Sequence, residues 1–217
     1  MTIPTIVFAK APQPGGVKTR LIPALGAAGA ALLHERLVAR TLRTATAAGV
    51  GPVELCCAPD AAHPFLASAA AGLGLPLTGQ GGGDLGGRMH RAAARALNNA
   101  SGVILIGCDC PALTPQYLRA ARAALDEGWD VALGPAEDGG YVLLALARID
   151  PALFDRIPWG GPDVMAITVA RCAALRWRWR QLETLWDIDR PEDLVRLRRD
   201  LPHAEGLLLD IASEDPS

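Results

Sequence analysis

Short runs of β-branched and apolar residues alternate with longer amphipathic segments over the first part of the chain. The first run covers residues 3–9, and leucines then recur every three or four positions from 27 to 48, as in a helix buried on one face. The same succession of strand and helix returns three times, at 53–57 with 61–71, at 75–78 with 85–97, and at 103–107 with 115–127. This alternation predicts an α/β fold with three layers, in which helices cover both faces of a mainly parallel sheet.

The pattern changes after residue 128, where two strands at 131–133 and 141–147 are separated only by a tight acidic and glycine-containing turn. We therefore expect a mixed sheet. Trp and Arg alternate over 176–180, which favours a half-buried strand with Trp inward over a nucleic-acid stacking strip. A helix is predicted from Pro191 to about Arg199. No linker interrupts the chain, so we predict one domain over residues 1–212 and a frayed tail over 213–217.

Composition restricts the function classes. Half of the 217 residues are hydrophobic and the formal net charge is -2, which excludes a mainly disordered chain and gives no general attraction for nucleic acid or anionic membranes. The five cysteines contain no CxxC pair and are an odd number, so neither a disulfide framework nor a zinc site is expected. No uninterrupted apolar run reaches transmembrane length, and the N-terminus lacks a signal-peptide layout. These features predict a cytoplasmic protein, and they leave open whether it forms a homodimer.

The loop after the first strand has the composition of an anion-binding loop. It contains the cations Lys10, Lys18 and Arg20 together with Gly15 and Gly16, between prolines that restrict its shape. Glycines allow backbone N–H groups to approach a phosphate, and the cations can neutralise it. The spacing does not match the Walker motif. The loop is therefore predicted to bind the phosphates of a nucleotide, the alternative being a solvated basic turn.

A second glycine-rich segment, residues 81–87, formally matches GxGxxG, but the strand before it is short and an acid interrupts the turn. This context favours a loop that closes over a base or a sugar nucleotide, with a flexible surface loop as the alternative. The candidate nucleotide-binding residues here are Gln80, Gly83, Asp84, Gly86 and Arg88.

Acidic residues follow several of the predicted strands. Asp109 comes after a strand that is apolar at successive positions, where a carboxylate can hold a divalent metal beside a diphosphate or act as a turn residue. Asp187 and Asp189 lie on one side if their strand continues, so one of them can reach the metal, while Asp189 can instead cap the next helix. Asp138 can activate an acceptor hydroxyl, hold a second metal or stabilise a turn.

Six segments together resemble the bacterial glycosyltransferase-A-like transferases related to phospholactate guanylyltransferase, sometimes labelled arsenosugar-biosynthesis glycosyltransferases. In chain order they are FAKAPQPGGVKTRL, GDLGGRM, IGCDCPALT, EDGGY, IPWG and DIDRPEDL, and the resemblance covers about residues 3–199. It implies a nucleotide-diphospho-sugar transferase fold, with Lys18 and Arg20 at the phosphates and the glycine-rich segment near the base. It also implies Asp109 and Asp189 as metal ligands, the latter through a signature of sugar-nucleotide cytidylyltransferases.

These observations predict a transferase that depends on Mg²⁺ or Mn²⁺ and uses a nucleotide-activated donor. The first hypothesis is glycosyl transfer from a nucleotide diphosphate sugar to a small-molecule acceptor. In it, Lys18 and Arg20 stabilise the departing diphosphate and Asp138 activates the acceptor. Nucleotidyl transfer with release of pyrophosphate requires the same loop and metal and is the second hypothesis. A nucleotide-binding regulator without turnover is the third, and none of the three includes a nucleic-acid or membrane partner.

Overall fold

The computed structural model describes residues 2–209 and 211. Their strands form one mixed sheet in the order β3-β2-β1-β4-β6-β5-β7, in which β6 runs antiparallel to both of its neighbours. The strands are β1 Thr5–Lys10, β2 Val53–Ala58, β3 Leu77–Gly79, β4 Val103–Ile106, β5 Val131–Pro135, β6 Tyr141–Leu146 and β7 Trp179–Gln181. The helices are α1 Ile22–Ala48, α2 Pro64–Ala71, α3 Leu85–Leu97, α4 Pro115–Asp126, α5 Val164–Ala174 and α6 Pro191–Asp200. Short 3-10 helices cover Thr19–Leu21, Pro151–Leu153 and Pro202–Leu207.

The centre of the sheet explains the direction in which the site opens. All four residues of β4 are buried, as expected for a strand covered by helices on both faces. It pairs in parallel with β1 and antiparallel with β6. The carboxyl ends of β1, β2, β3 and β4 therefore lie along one edge of the sheet, the edge at which open α/β sheets bind ligands.

Three groups of apolar side chains fill the spaces between the layers. The first lies between the sheet and α1, α2 and α4, and the second between the sheet and α3 and α5. A third group joins the first half of α1 to α6 and to the buried Trp186 and Ile188. The five cysteines, all in described parts of the chain, are free and buried, and they pack as small apolar side chains.

Helix α1 is the longest element and bends at Gly26, which has a φ of 66°. Together with the preceding 3-10 turn it is the one described segment that is long and apolar enough, by length and composition, to cross a membrane. Its buried stripe runs from Leu25 through Leu33 and Leu37 to Ala48 and packs within the fold. Helix α1 is therefore packed as a core helix of the fold.

The predicted architecture of a mixed sheet between two helical layers is confirmed. Helix α3 has the predicted bounds, whereas α1 begins five residues before the predicted start. Helix α5 was not predicted, because its sequence is apolar on several sides and lacks a clear periodicity. The Trp and Arg strand is shorter than expected, since Arg176 has a φ of 56° and the paired residues begin at Trp179. The predicted tail at 213–217 lies outside the described residues.

Candidate functional site

A cleft of about 580 Å³ opens at the carboxyl ends of β1 and β4, between the first loop and the start of α3. Its lining includes most of the charged residues singled out in the sequence, namely Lys10, Lys18, Arg20, Arg88, Asp109 and Asp189. Gly16, Gln80 and His34 also line it. The fold thus brings together residues that are up to 179 positions apart, counting from Lys10 to Asp189.

Lys18 extends its side chain from the first loop to the strand ends. Its backbone is in the left-handed region, with a φ of 48°, which is uncommon for a residue with a side chain. Its ammonium is 2.6 Å from Oδ1 of Asp109 and also donates to the carbonyl of Ile188, and the side chain is only 4% exposed. Burial alone would raise the pKa of the Asp109 carboxyl, but Lys18 and His34 lower it further than burial raises it. Asp109 is therefore an anion already matched by a buried cation.

His34 connects α1 to this pair. Its Nε2 donates to the carbonyl of Lys10 at 3.1 Å, while Nδ1 has no hydrogen-bond partner and lies 3.9 Å from Oδ1 of Asp109. Burial lowers the pKa of His34, although Asp109 opposes the shift. We did not identify His34 in the sequence, where it occupies one position of the buried stripe of α1 between Leu33 and Leu37. A polar residue within such a stripe was the available signal.

Arg20 and Asp189 form an ion pair on the outer side of the cleft, with both side chains about half exposed or more. The carboxylate that caps α6 belongs to Asp193, whose Oδ2 accepts the backbone N–H groups of Asp189 at 2.9 Å and Arg190 at 2.7 Å. The side chain of Asp189 therefore faces Arg20 while Asp193 does the capping.

Of the candidates in the glycine-rich segment, only Gln80 and Arg88 line the cleft. The side-chain nitrogen of Gln80 donates to the carbonyls of Ala9 and Cys56 at 3.2 and 3.0 Å, so this amide joins β1 to β2. Asp84 caps α3 by accepting the N–H of Gly87 at 2.8 Å, and the carbonyl of Gly83 accepts a hydrogen bond from Arg88.

Gly86 and Gly15 have different surroundings. A Cβ on Gly86 would lie 2.6 Å from the indole nitrogen of Trp159, so glycine there permits a close contact between α3 and the segment after Ile157. Gly15 has a φ of 79° on the exposed part of the first loop, where a left-handed residue is needed for the turn, and it is not itself among the residues that line the cleft.

A second cavity of about 300 Å³ adjoins the cleft at Asp109. The two share Phe8, Leu85, Gly107 and Asp109 as lining residues, so they lie side by side. The second cavity is lined on the far side by Met89, Tyr141, Val142, Trp159 and Val164, and its acidic residues besides Asp109 are Asp138 and Asp187.

Asp187 is held in place by the segment that follows β7. Leu185 pairs with Ala136, and the N–H of Ile188 donates to the carbonyl of Asp109 at 2.9 Å. Oδ1 of Asp187 is buried without a hydrogen-bond partner. Burial, reinforced by Asp109 and opposed by Lys18, raises the pKa of Asp187 to about 7. When Asp187 is ionised, this oxygen lacks a partner, and a bound cation or a hydrogen-bond donor would supply one.

Asp138 lies in the tight turn between β5 and β6, at the mouth of the second cavity. Its Oδ1 accepts the N–H of Gly140 at 2.9 Å, so one carboxylate oxygen stabilises the turn. Gly139 has a φ of 90°, and a Cβ there would lie 1.9 Å from the carbonyl oxygen of Pro162. The turn and the loop 158–162 are therefore in backbone contact.

The residues present are compatible with one divalent cation. No group of three His, Cys, Asp or Glu side chains with metal-binding geometry occurs in the part of the chain that the structure describes. Mg²⁺ commonly takes only one or two protein carboxylates and completes its shell with phosphate and water. Asp109, with the unpartnered oxygen of Asp187 near it, meets that requirement, and Asp189 lines the same cleft.

Comparison with known proteins identifies a family. The model of the bacterial family described as "Uncharacterized protein conserved in bacteria (DUF2064)" matches residues 41–161, more than half of the chain. A search of curated proteins gives no match.

Solved structures agree with the fold. A candidate nucleotide-diphospho-sugar transferase from Desulfovibrio desulfuricans G20 is 32% identical, with a TM-score of 0.85 over 96% of this chain and 94% of the other. A nucleotidyl transfer enzyme from Methanothermobacter thermautotrophicus is 16% identical, with a TM-score of 0.57 over 93% and 98%. Glucosyl-3-phosphoglycerate synthase from Mycobacterium tuberculosis, solved with Mn²⁺ and UDP, is 13% identical, with a TM-score of 0.54 over 98% and 81%. The predicted nucleotide-diphospho-sugar transferase fold is confirmed, and these relatives support the predicted enzyme class, a transferase.

Proposed function

The chain belongs to the DUF2064 family, and from this premise and its cleft we propose that it transfers a glycosyl group from a nucleotide diphosphate sugar to a small-molecule acceptor. One observation carries the proposal. Four cations line a cleft at the carboxyl ends of parallel strands, and at Asp109 this cleft adjoins a cavity that contains two further carboxylates. The 32% identical transferase candidate supports the same class of donor.

The cations account for binding of the donor diphosphate. Lys18 and Arg20 each pair with an acid in the cleft, and Lys10 and Arg88 line the same wall. A diphosphate that enters brings negative charge to this wall, and charge-assisted hydrogen bonds to Lys and Arg are stronger than neutral ones. The same cations stabilise the charge that develops on the diphosphate when the glycosyl bond breaks.

The acids would hold the divalent cation. We assign Asp109 as the first ligand, and Asp187 or Asp189 as the second. When bound, Mg²⁺ or Mn²⁺ supplies a Lewis acid that neutralises the diphosphate. Lys18 keeps Asp109 ionised and in position before the ion arrives, since its ammonium is 2.6 Å away.

Asp138 is our candidate for activation of the acceptor. In the proposed reaction, an acceptor hydroxyl oxygen forms a bond to the anomeric carbon of the donor. The bond from that carbon to the diphosphate oxygen breaks, the electron pair leaves with the diphosphate, and the hydroxyl proton passes to the carboxylate of Asp138. Because Oδ1 accepts the turn hydrogen bond from Gly140, Oδ2 is the oxygen available for this proton.

A donor screen tests the proposal. Thermal unfolding is measured with nucleoside triphosphates and with nucleotide diphosphate sugars, each with and without Mg²⁺. A ligand at about 100 times its Kd adds about 2.7 kcal/mol of stability. We expect a sugar nucleotide to raise the melting temperature in a Mg²⁺-dependent manner and to release nucleoside diphosphate on slow hydrolysis. Stabilisation by no nucleotide of either kind would refute the proposal.

Nucleotidyl transfer is the second candidate, since the fold is shared with the Methanothermobacter nucleotidyl transfer enzyme over nearly its whole length. It requires an acceptor phosphate that attacks the α-phosphate of a nucleoside triphosphate. Release of pyrophosphate in the same screen, with no release of nucleoside diphosphate from sugar nucleotides, would favour this reaction. Stabilisation by nucleotides with no product from any acceptor would instead favour a regulator without turnover.

A further inference from the structure

The charged residues of the site are segregated between its two parts. The cleft is lined by four cations, Lys10, Lys18, Arg20 and Arg88, as well as by acids. Among the described residues, no Lys, Arg or His lines the second cavity, where the charged groups are Asp109, Asp138 and Asp187. Lys18, the cation that pairs with Asp109, lines the cleft and also donates to the carbonyl of Ile188.

From this segregation we infer that the second cavity binds the acceptor, and that the acceptor is an uncharged or cationic hydroxyl compound with an apolar face, not a phosphate ester. The inference rests on the proposed function, which places the attacking hydroxyl beside Asp138. It goes further because it specifies the chemical class of the acceptor and excludes phosphorylated ones.

The electrostatic argument concerns the cost of placing a dianion in this cavity. Asp109 and one further carboxylate would be offset if they held a divalent cation, but Asp138 would remain an anion with no Lys or Arg beside it among the cavity-lining residues. Farther in, Met89, Val142 and Val164 offer no hydrogen-bond donor from their side chains. A phosphate there would lose its hydration without gaining an Arg or Lys partner, which is strongly unfavourable.

The shape of the cavity favours a compact acceptor with one apolar side. Tyr141 and Trp159 stand edge to face in its wall, with ring centroids 6.3 Å apart. Aromatic walls of this kind pack against the C–H face of a ring, and an aromatic ring beside carboxylates also accommodates an ammonium group. The volume of about 300 Å³ is at the lower end of the range for small-molecule pockets.

Three probes that share a benzyl group and differ in the charge and kind of their polar group test the inference: benzyl alcohol, benzylamine and benzyl phosphate. Occupancy is read from the indole N–H resonance of Trp159, which is assigned by its loss in the Trp159→Phe variant. This readout separates binding in the second cavity from phosphate binding in the basic cleft. We expect benzyl alcohol and benzylamine to shift the Trp159 resonance, and benzyl phosphate to need at least tenfold higher concentration for the same shift.

A charge reversal provides the second arm. Asp138→Lys should lower the affinity for benzylamine and raise that for benzyl phosphate by tenfold or more, as read at Trp159. Asp155→Lys, an exposed acid outside both spaces, is the matched control and should change neither. A response to benzyl phosphate equal to that of benzyl alcohol in the unmodified protein would overturn the inference, as would no response of Trp159 to any probe.

The outcome can be separated from that of the proposed function. The probe titrations are made without nucleotide, whereas the proposed function is tested by nucleotide-dependent stabilisation. If the probes shift the Trp159 resonance but no nucleotide raises the melting temperature, glycosyl transfer is refuted while the inferred charge preference of the cavity is still supported. Nucleotide-dependent stabilisation with a preference for benzyl phosphate would refute only the acceptor class.

Discussion

Lys18 and Arg20 differ in exposure although they lie two positions apart. The Lys18 side chain is 4% exposed and contacts both Asp109 and the Ile188 carbonyl, whereas the Arg20 side chain is 65% exposed and contacts Asp189. A buried cation is held in one position, while an exposed one keeps much of its rotamer freedom. Their contributions to nucleotide binding should therefore differ.

We expect Lys18→Ala to weaken binding of the Mg²⁺ complex of the nucleotide by about 10- to 100-fold, the range for a lost charge-assisted hydrogen bond. Arg20→Ala should weaken it by less and leave the free energy of unfolding within about 0.5 kcal/mol of the original value. Isothermal titration calorimetry measures both affinities. Arg148→Ala serves as the control, since its guanidinium pairs with Asp130 at the opposite end of the sheet. Unchanged nucleotide affinity in both loop variants would favour the alternative interpretation, in which the loop is only a solvated basic turn.

Asp138→Asn should keep nucleotide binding nearly intact and lower turnover by about 10²- to 10⁴-fold, the usual contribution of a positioned general base. The asparagine carbonyl can still accept the N–H of Gly140, so the turn is preserved while the base is lost. The matched control is Asp150→Asn, because Oδ1 of Asp150 accepts a comparable bond from Ala152 at 2.8 Å outside the site. Steady-state kinetics with the acceptor found above, or donor hydrolysis meanwhile, measures the effect. Wild-type turnover would exclude a role as base.

If Asp138 were instead a second metal ligand, binding of the nucleotide would also weaken in this variant, and added Mg²⁺ would recover part of the rate. A residue that only stabilises the turn would change neither quantity beyond a few-fold. The three roles left open by the sequence are thus separated by two measurements on one variant.

The raised pKa of Asp187 predicts a pH dependence of stability. Folding raises this pKa from 3.8 to about 7, so the unfolded chain loses the proton at lower pH than the folded one. The stability contributed by this group therefore falls as pH rises from about 4 to about 7, and is constant on either side. Relative to Asp187→Asn, which cannot ionise, the metal-free protein should lose about 2–4 kcal/mol across this window.

Urea unfolding of both proteins in the presence of a chelator gives the difference curve. Asp189→Asn, which removes the carboxylate paired with Arg20 and retains Asp187, is the control, and its stability should fall over the same pH window as that of the original protein. Parallel stability curves for the original protein and Asp187→Asn would contradict the assigned pKa. The same two variants, titrated with Mg²⁺ and nucleotide, determine which aspartate is the second metal ligand.

At the scale of residues, the sequence predicted Lys18, Arg20, Arg88 and Asp109 in one place because strand ends and glycine-rich loops meet at one edge of a parallel sheet. The sequence indicated Asp187 only as a residue on the same side of a strand as Asp189. Which of two alternating acids retains an unpartnered oxygen depends on the path of the chain after β7, and local sequence does not specify that path. The proximity of His34 to Asp109 likewise depends on how α1 is rotated about its own axis in the fold.

At the scale of elements, the loop 158–162 is held between two others. Because residue 86 is a glycine, Trp159 can pack against the start of α3. Gly139 likewise allows the turn after β5 to contact the Pro162 carbonyl. Arg196 of α6 secures the other side of that turn, with paired hydrogen bonds to Glu137 at 2.5 and 2.8 Å and its guanidinium 4.5 Å from the Trp186 ring. These contacts fix the position of Asp138.

Gly139→Ala should therefore destabilise the protein by at least about 2 kcal/mol, since it combines a φ that disfavours side chains with a backbone clash. For a chain of this size the melting temperature should fall by about 4–8 °C. At Gly79 a Cβ would meet nothing within 4 Å, so the melting temperature of Gly79→Ala should fall by much less. Equal melting temperatures for the two variants, measured by differential scanning calorimetry, would show that the turn adapts without strain.

Elements with one clear periodicity were predicted closely, as α3 and β4 show. Helix α5 and the short β7 were not, because their structure depends on packing against distant elements. Trp177 lies just before β7 and is buried with Arg148 5.2 Å from its ring, a contact that spacing alone does not indicate. The order of the strands likewise required tertiary structure, since β6 is inserted between β4 and β5.

At the scale of the whole molecule, a net charge of -2 conceals a cleft with four cations and two carboxylates beside an acidic cavity. Opposite charges in two adjacent spaces orient a substrate that is anionic at one end and neutral or cationic at the other. Because the attraction is electrostatic, nucleotide binding should weaken as ionic strength rises.

The burial of all five thiols also determines how the protein behaves toward sulfur reagents. Burial raises the pKa of Cys56, Cys57, Cys108, Cys110 and Cys172, so little thiolate is present at neutral pH. We expect dithionitrobenzoate to react with less than one thiol per chain in the native state and with five after denaturation. Rapid reaction of one thiol in the native state would reveal an opening of the core.

Because all five native thiols are buried, thiol-directed labels should react with an introduced surface cysteine and not with the native ones. A single cysteine introduced at an exposed position such as Arg156 or Pro158 would carry a fluorophore or spin label with no need to remove native thiols. Two such labels, one on loop 158–162 and one beside the first loop, would report the distance across the site while a substrate binds. The cysteines that fill the core thereby make motion at the site directly measurable.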